Sequence, residues 1–383
     1  MAQFNKNGTF LLRVTCAIFF LLFTYFYLYD YQCNILAVAQ HVLSHGATHY
    51  NRTVGAIVIT LVLWLIQLVL YALTGLGRRG HALTYVPSLL LLGVLTDVSP
   101  NVSDSYLGNW LWAFPLLMVL YGFVVWVVRQ LEPMEPATNA TGLFSRMMWI
   151  NMLQMVVFAL VTCGIGCNDT VFHYRMNVEN DIIDGDYAKA LSVGYYDAKT
   201  DSSLTMLRVW ALSESGKLGD HLFEYPLKGR SDAMLPNGRS VQMLMAPEVK
   251  LYEKLGGYFK QKMRPRQYLE KLHQKGYATP QAHDWLLCAY LLDCDLDAFV
   301  NALPHYYNVQ KALPLHYREA LVLYNHLRQH PHIVYHSQVM DADFEDFIQL
   351  LHSTGDVNTR SFLLHTNFDK TYWNYYYSNS GRK

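Results

Sequence analysis

The sequence predicts an all-α protein of two parts: about five membrane-spanning helices over residues 1–166, then a soluble helical domain over 167–383. Three observations predict it. Long apolar runs with almost no charge fill the first 166 residues and stop at Gly166. The remainder is charged, rich in His and Tyr, and helical in its apolar period. The whole chain is 52% hydrophobic and only 16% charged, too apolar for an average soluble protein.

A helix needs about 20 apolar residues to cross roughly 30 Å of hydrocarbon. Runs near 12–29, 54–73, 110–128 and 148–165 approach that length. Tyr29, Tyr71, Trp110 and Trp149 sit towards their ends, as an interfacial belt requires. A fifth run, 82–98, contains Pro87 and has a short apolar centre. Lys6 and Arg13 precede the first run like a signal peptide, but the run is too long and Tyr25–Asp30 offers no small-residue cleavage site, so it reads as an uncleaved anchor.

Orientation follows from the basic residues. With five spans, Lys6, Arg13, Arg78, Arg79, Arg129 and Arg146 share one side, and Arg52 faces the other with Asp30, Asp97 and Asp104. The charge rule therefore needs 82–98 to cross. It predicts an inner-membrane, multi-pass protein with a cytoplasmic N-terminus and an extracytoplasmic domain after Gly166. Residues 33–49 read as an extracytoplasmic loop or interfacial helix.

In the second part, 178–197 reads as two short helices joined at Gly185-Asp186. Gly185-Asp-Tyr-Ala-Lys-Ala-Leu191 resembles the second-helix start of a tetratricopeptide unit. So does Tyr317-Arg-Glu-Ala-Leu321 with Tyr324, Leu327 and Pro331, and a third hairpin reads as 285–292, a break at 293–295, then 296–303 before Pro304. The fold expected is a degenerate tetratricopeptide-like α-hairpin array, with an irregular all-α domain as the alternative. Residues 229–247 read as a long connection or a short β excursion.

Taken whole, the chain resembles an uncharacterised family of multi-spanning membrane proteins of Bacteroidota-type bacteria, a domain of unknown function (DUF6057-like). Leu207, Ala211-Leu212, Gly216, Leu218-Gly-Asp220, Leu222-Phe223, Tyr225-Pro226, the run Leu313-Pro-Leu-His-Tyr-Arg-Glu-Ala-Leu-Val-Leu-Tyr324 and the aromatic end Thr371–Tyr377 carry the resemblance. It implies an envelope location and no activity.

No catalytic signature, cofactor fingerprint or metal motif stands out. Zero net charge excludes a basic nucleic-acid footprint. Asp30, just past the first span, is the one candidate catalytic acid, by analogy with membrane glycosyltransferases that use lipid-linked donors; the alternative is that it marks the water interface. His326 and His330 are spaced i, i+4 and, with His332, His336 and the carboxylates Asp341, Asp343 and Glu345, form a candidate metal group; the alternative is a solvent-facing helix end. Tyr372, Trp373, Tyr375, Tyr376 and Tyr377 are a candidate partner-binding cluster, or pack the last helix on its domain.

Cys163 and Cys167 can pair only if a helix ends between them; otherwise both are free. Gln67, Asn151 and Gln154 are the polar interior residues of the spans and read as helix–helix glue. Asn51, Asn101, Asn168, Asn7 and Asn139 lie in glycosylation sequons, which in a bacterial chain are chance matches. These readings point to a scaffold for protein–protein interaction, contacting the bilayer and other envelope proteins. An envelope enzyme acting on a lipid-linked or glycan substrate, or an accessory subunit of a multi-spanning transporter, is the alternative.

Overall fold

The computed structural model describes residues 2–99, 108–131, 145–257, 263–353 and 357–381, less the side chains of 2–9, Arg78 and Val357. The sequons at Asn7, Asn101 and Asn139, and the topology charges Lys6, Arg78 and Asp104, lie outside what is described. All regular structure among the described residues is helical. The chain divides into two compact units, 1–173 and 174–383, so the division falls a few residues past Gly166.

The first unit holds α1 (Ala2–Phe26), a π turn (Tyr27–Tyr31), α2 (Cys33–Leu43), α3 (Arg52–Thr74), a 3-10 segment (Arg78–Tyr85), α4 (Val86–Thr96), α5 (Trp110–Leu131) and α6 (Arg146–Ile165). Among the described residues four stretches are long and apolar enough to cross a membrane: Phe10–Tyr31, Arg52–Thr74, Trp110–Leu131 and Arg146–Ile165. Sequence chemistry sets their ends. Asn51 caps α3 by accepting the N–H groups of Thr53 and Val54, and Gly75 closes it in the left-handed conformation at φ 59°. Ser145 caps α6 through the N–H of Met148.

The fifth run is not one regular helix. It opens on the last four residues of the 3-10 segment and continues as the 11-residue α4, with Pro87 in the first turn of α4, where a missing N–H costs nothing. Here Ala82, Tyr85, Leu89 and Leu92 are all buried, and Asn151 Oδ1 accepts the Ala82 N–H at 2.8 Å.

Contacts along the unit fix the direction of each segment. The Arg13 guanidinium lies 4.6 Å from the Tyr71 ring centre, and Arg52 pairs with Asp30 at 2.7 Å, so α1 and α3 run antiparallel. Gln67 donates to Thr84 at 3.0 Å and Ser88 to the Leu63 carbonyl at 2.9 Å, so residues 78–96 run against α3. They run alongside α6 in the same sense, because Ala82 meets Asn151 and the Thr162 hydroxyl donates to the Leu89 carbonyl at 3.3 Å. Trp110 donates to Asp97 at 2.6 Å at one end and Gly80 lies against Val128 at the other, which turns α5 antiparallel again. Gly93 lets α4 approach α6: an added Cβ there would stand 2.9 Å from Ile165.

The second unit begins within α7 (Thr170–Ile183) and continues through α8 (Tyr187–Ser192), α9 (Ser202–Glu214), α10 (Leu218–His221), α11 (Glu248–Leu255), α12 (Pro265–Gln274), α13 (Pro280–Leu292), α14 (Leu296–Ala302), α15 (Leu315–Leu327), α16 (Gln338–Leu351), α17 (Val357–Phe368) and α18 (Tyr372–Asn379). Neighbours in sequence pack as pairs: α8 with α9, α12 with α13, α13 with α14, α15 with α16. The junction at Gly185 and Asp186 is as expected, Gly185 taking φ 78° and Asp186 capping α8 through the Lys189 N–H. Asp201, Thr279, Asp295 and Thr371 cap α9, α13, α14 and α18 in the same way, each such cap being worth about 1 kcal/mol. Residues 229–247 form turns around a short 3-10 segment, Ser231–Ala233, and no strand occurs among the described residues.

Candidate functional site

The candidate catalytic acid and the candidate metal group are placed plainly. Asp30 lies in the π turn, exposed and ion-paired with Arg52, which also donates to the Tyr29 carbonyl and lies 4.0 Å from the centre of the Tyr29 ring. Its charge is thus matched by a cation held in place by the same turn.

His326 and His330 do not share a helix face. α15 stops at Leu327, and Arg328 turns extended at φ −118°, ψ 128°. Pro331 stops the helix from running on through His330: it has no N–H for the Leu327 carbonyl and disfavours the helical region for His330 itself. His326 instead stacks edge-on with Phe344, His336 lies 3.4 Å from Asp341, and all four histidines are exposed. No group of three or more metal-ligating side chains gathers among the described residues.

The terminal aromatic cluster faces inward at its start. Tyr372 is fully buried and Trp373 2% exposed, while Tyr375, Tyr376 and Tyr377 are half-buried. Tyr375 packs on Phe223 and donates to the Leu292 carbonyl at 2.8 Å, and Tyr377 packs on Phe347. Packing of α18 on its unit therefore accounts for Tyr372 and Trp373.

Three buried polar centres in the second unit were not read from the sequence. His316 Nε2 accepts the Phe223 N–H at 3.3 Å, which leaves the ring proton on Nδ1 to be donated to Glu319 Oε2 at 2.8 Å. The same carboxylate oxygen accepts the Tyr372 N–H at 2.8 Å, and the Trp373 indole donates to the Glu319 carbonyl. The geometry has the look of a carboxylate orienting a general base, but the far ring nitrogen is occupied by backbone. It is a clamp on α18.

In the second centre Asp284 accepts the hydroxyls of Tyr307 at 2.7 Å and Tyr317 at 2.9 Å, with Cys288 Sγ 3.6 Å from the Tyr317 oxygen. Burial raises the Asp284 carboxyl above its usual range and the two hydroxyls pull it back. The third centre is Glu179. Its Oε1 accepts three successive N–H groups, Leu244, Met245 and Ala246, at 2.8, 2.7 and 2.8 Å, while Oε2 is buried without a hydrogen-bond partner. Burial raises this carboxyl too, opposed by the three N–H groups and Arg175. Successive N–H groups aimed at one oxygen make a nest for an anion, here supplied by the chain itself.

The first unit holds a concave, largely apolar groove of about 680 Å³. One wall is a ladder of rings from α1 and the π turn. Phe19 stacks on Phe23 at 6.4 Å between centres, Phe23 on Tyr27 at 5.6 Å, and Tyr27 meets Tyr31 at 5.9 Å. Leu22, Phe26, Cys163 and Asn168 complete the lining. At its polar end the Tyr31 hydroxyl donates to Asn168 Oδ1 at 2.9 Å and His173 packs on Tyr31.

Behind the ladder lies a buried polar knot. Tyr27 and Thr96 share a hydrogen bond at 3.2 Å, Gln32 donates to the Tyr27 hydroxyl and the Cys167 carbonyl, and the Cys167 N–H meets the Thr96 carbonyl at 2.9 Å. Gly166 leaves the room: a Cβ there would collide with the Tyr27 hydroxyl. α6 ends at Ile165, between Cys163 and Cys167, yet both thiols are free. The signal in the sequence was an aromatic at every fourth position, 19, 23, 27 and 31.

Residues 242–379 match the model of a family described as a family of unknown function (DUF6057). The matched stretch carries both the His316–Glu319 clamp and the Asp284 centre. No curated protein and no solved structure matches the chain.

Proposed function

We propose that this chain is a multi-pass protein of a bacterial inner membrane, with its N-terminus in the cytoplasm and residues 167–383 outside it. There a tetratricopeptide-like array of α-hairpins serves as a scaffold for other envelope proteins. The observation that carries the topology is the alternation of the first unit. α1, α3, residues 78–96, α5 and α6 follow one another in opposite senses, so an odd number of passes separates the two ends of the unit. That arrangement agrees with the side chosen by Arg13, Arg79, Arg129 and Arg146. Residues 80–96, between Arg79 and Asp97, have about the required reach: six 3-10 residues at about 2.0 Å and eleven helical ones at 1.5 Å total roughly 28 Å if laid end to end.

The scaffold reading is supported by how the second unit spends its buried polar groups. Glu179, Asp284 and the His316–Glu319 pair each tie distant backbone or side chains together. Such ties stiffen a body built of paired helices, and stacked hairpins leave extended surfaces suited to helix or peptide ligands.

Alkaline phosphatase fused after Lys383 should be active, and a cytoplasm-only fluorescent protein at the same place dark. Fluorescence there would overturn the topology. In-membrane cross-linking from the second unit should recover an envelope protein, and recovery of none across growth conditions would overturn the scaffold role.

A further inference from the structure

We infer that the aromatic groove of the first unit holds one acyl chain of a membrane phospholipid. The inference rests on the membrane reading above and adds an occupant to it. Six of the lining residues belong to Phe10–Tyr31 and Cys163 to Arg146–Ile165, both stretches apolar enough to span a bilayer, and the groove is open. An open apolar groove at the depth of a bilayer core meets hydrocarbon rather than water, because the core holds no water.

Length and polarity choose a lipid chain. Phe19 and Tyr31 are 12 positions apart on one face, about 18 Å at 1.5 Å per residue. That is close to half of a roughly 30 Å hydrocarbon core, the depth of one leaflet. The lining grades from Phe19 and Phe23 through Tyr27 to the Tyr31–Asn168 pair, so the tail would lie against bare rings and the headgroup against hydroxyl and amide. Tyr31 closes the first spanning stretch, where headgroups begin. The ladder itself depends on the π turn, in which Gln32 N–H reaches back five residues to the Tyr27 carbonyl; such turns recur at functional sites.

A partner helix fits less well. Helices dock in membranes on small residues that let backbones approach. This wall presents Phe19, Leu22, Phe23 and Phe26 instead.

The test is native mass spectrometry of the full chain, reconstituted in vesicles of phosphatidylethanolamine and phosphatidylglycerol and released in mild detergent. Wild type should carry one phospholipid through detergent exchange. Cys163→Trp, which fills the groove, should lower that fraction about tenfold. Val119→Trp, on the exposed face of α5, should leave it unchanged. Leu22→Trp is the second filling variant should Cys163→Trp fail to fold. A wild-type chain without lipid, or lipid kept equally by a folded filling variant, overturns the inference. So does a photo-cross-linker at Leu22 that captures a second copy of the chain instead of lipid. The phosphatase fusion separates these outcomes from failure of the membrane reading, since it reports topology whether or not lipid is retained.

Discussion

Asn151 Oδ1 accepts the backbone N–H of Ala82 at 2.8 Å, a tie between residues 69 positions apart that lies inside the first unit. Ala82 belongs to the 3-10 segment, whose hydrogen-bond geometry is poorer than that of an α-helix. Asn151 also donates to the Met147 carbonyl at 2.9 Å, so its amide is fixed in the orientation that offers oxygen to Ala82.

Asn151→Leu keeps the volume and removes the acceptor. It should destabilise the unit by about 1–3 kcal/mol, the usual cost of a buried donor left unpaired. Thermal denaturation in detergent, followed by intrinsic fluorescence, checks this. Leu153→Ala, on the exposed side of the same helix, should change little.

Glu319→Ala should loosen the C-terminal helix selectively. The carboxylate serves both His316 and the Tyr372 N–H, and His316 is fully buried, so its loss strands two donors at about 1–3 kcal/mol each. Limited proteolysis should then cut before Tyr372 at a protease concentration that leaves wild type intact. An unchanged pattern would mean that the aromatic packing of Trp373 on Phe344 suffices without the clamp.

Stability of the second unit should fall as pH drops below neutrality. His273 and His283 pack together at 5.3 Å with Tyr306, and burial lowers the pKa of each; for His273 the neighbouring His283 lowers it further while its bond to the Leu269 carbonyl works the other way. The folded pKa values lie below the unfolded value of about 6.5. The unfolded chain therefore takes up protons first, and the stability present above that value is lost as pH falls through the folded ones. Unfolding curves at neutral and mildly acid pH should separate for wild type and converge in His273→Gln/His283→Gln. Equal pH dependence in the two proteins would rule this pair out as the cause.

Long apolar stretches, helix boundaries and caps were legible because they follow from local rules. Apolar length gave the four long stretches, and Gly185, Asp186 and Pro304 marked turns that the structure places there. Other features needed partners far along the chain. Nothing near Glu179 announces that the N–H groups of 244–246 converge on it, and His316 gains its meaning from Phe223 and Tyr372. The i, i+4 spacing of His326 and His330 misled for a local reason, the reach of Pro331 back into the helix end. Residues 82–98 were recognisable as apolar, but their division into 3-10 and α halves depends on the cover given by α3 and α6.

That cover has an order in time. The ribosome delivers residues 78–96 long before Arg146–Ile165, yet the acceptor for Ala82 and the donor to the Leu89 carbonyl both arrive on the later helix. Until that helix is made the segment has α1, α2, α3 and α5 for company, but Ala82 still lacks its side-chain acceptor. The first unit is therefore completed from its end backwards: the helix made last seals the segment made third, and a chain halted before Arg146 would hold its most buried stretch in an unfinished shell.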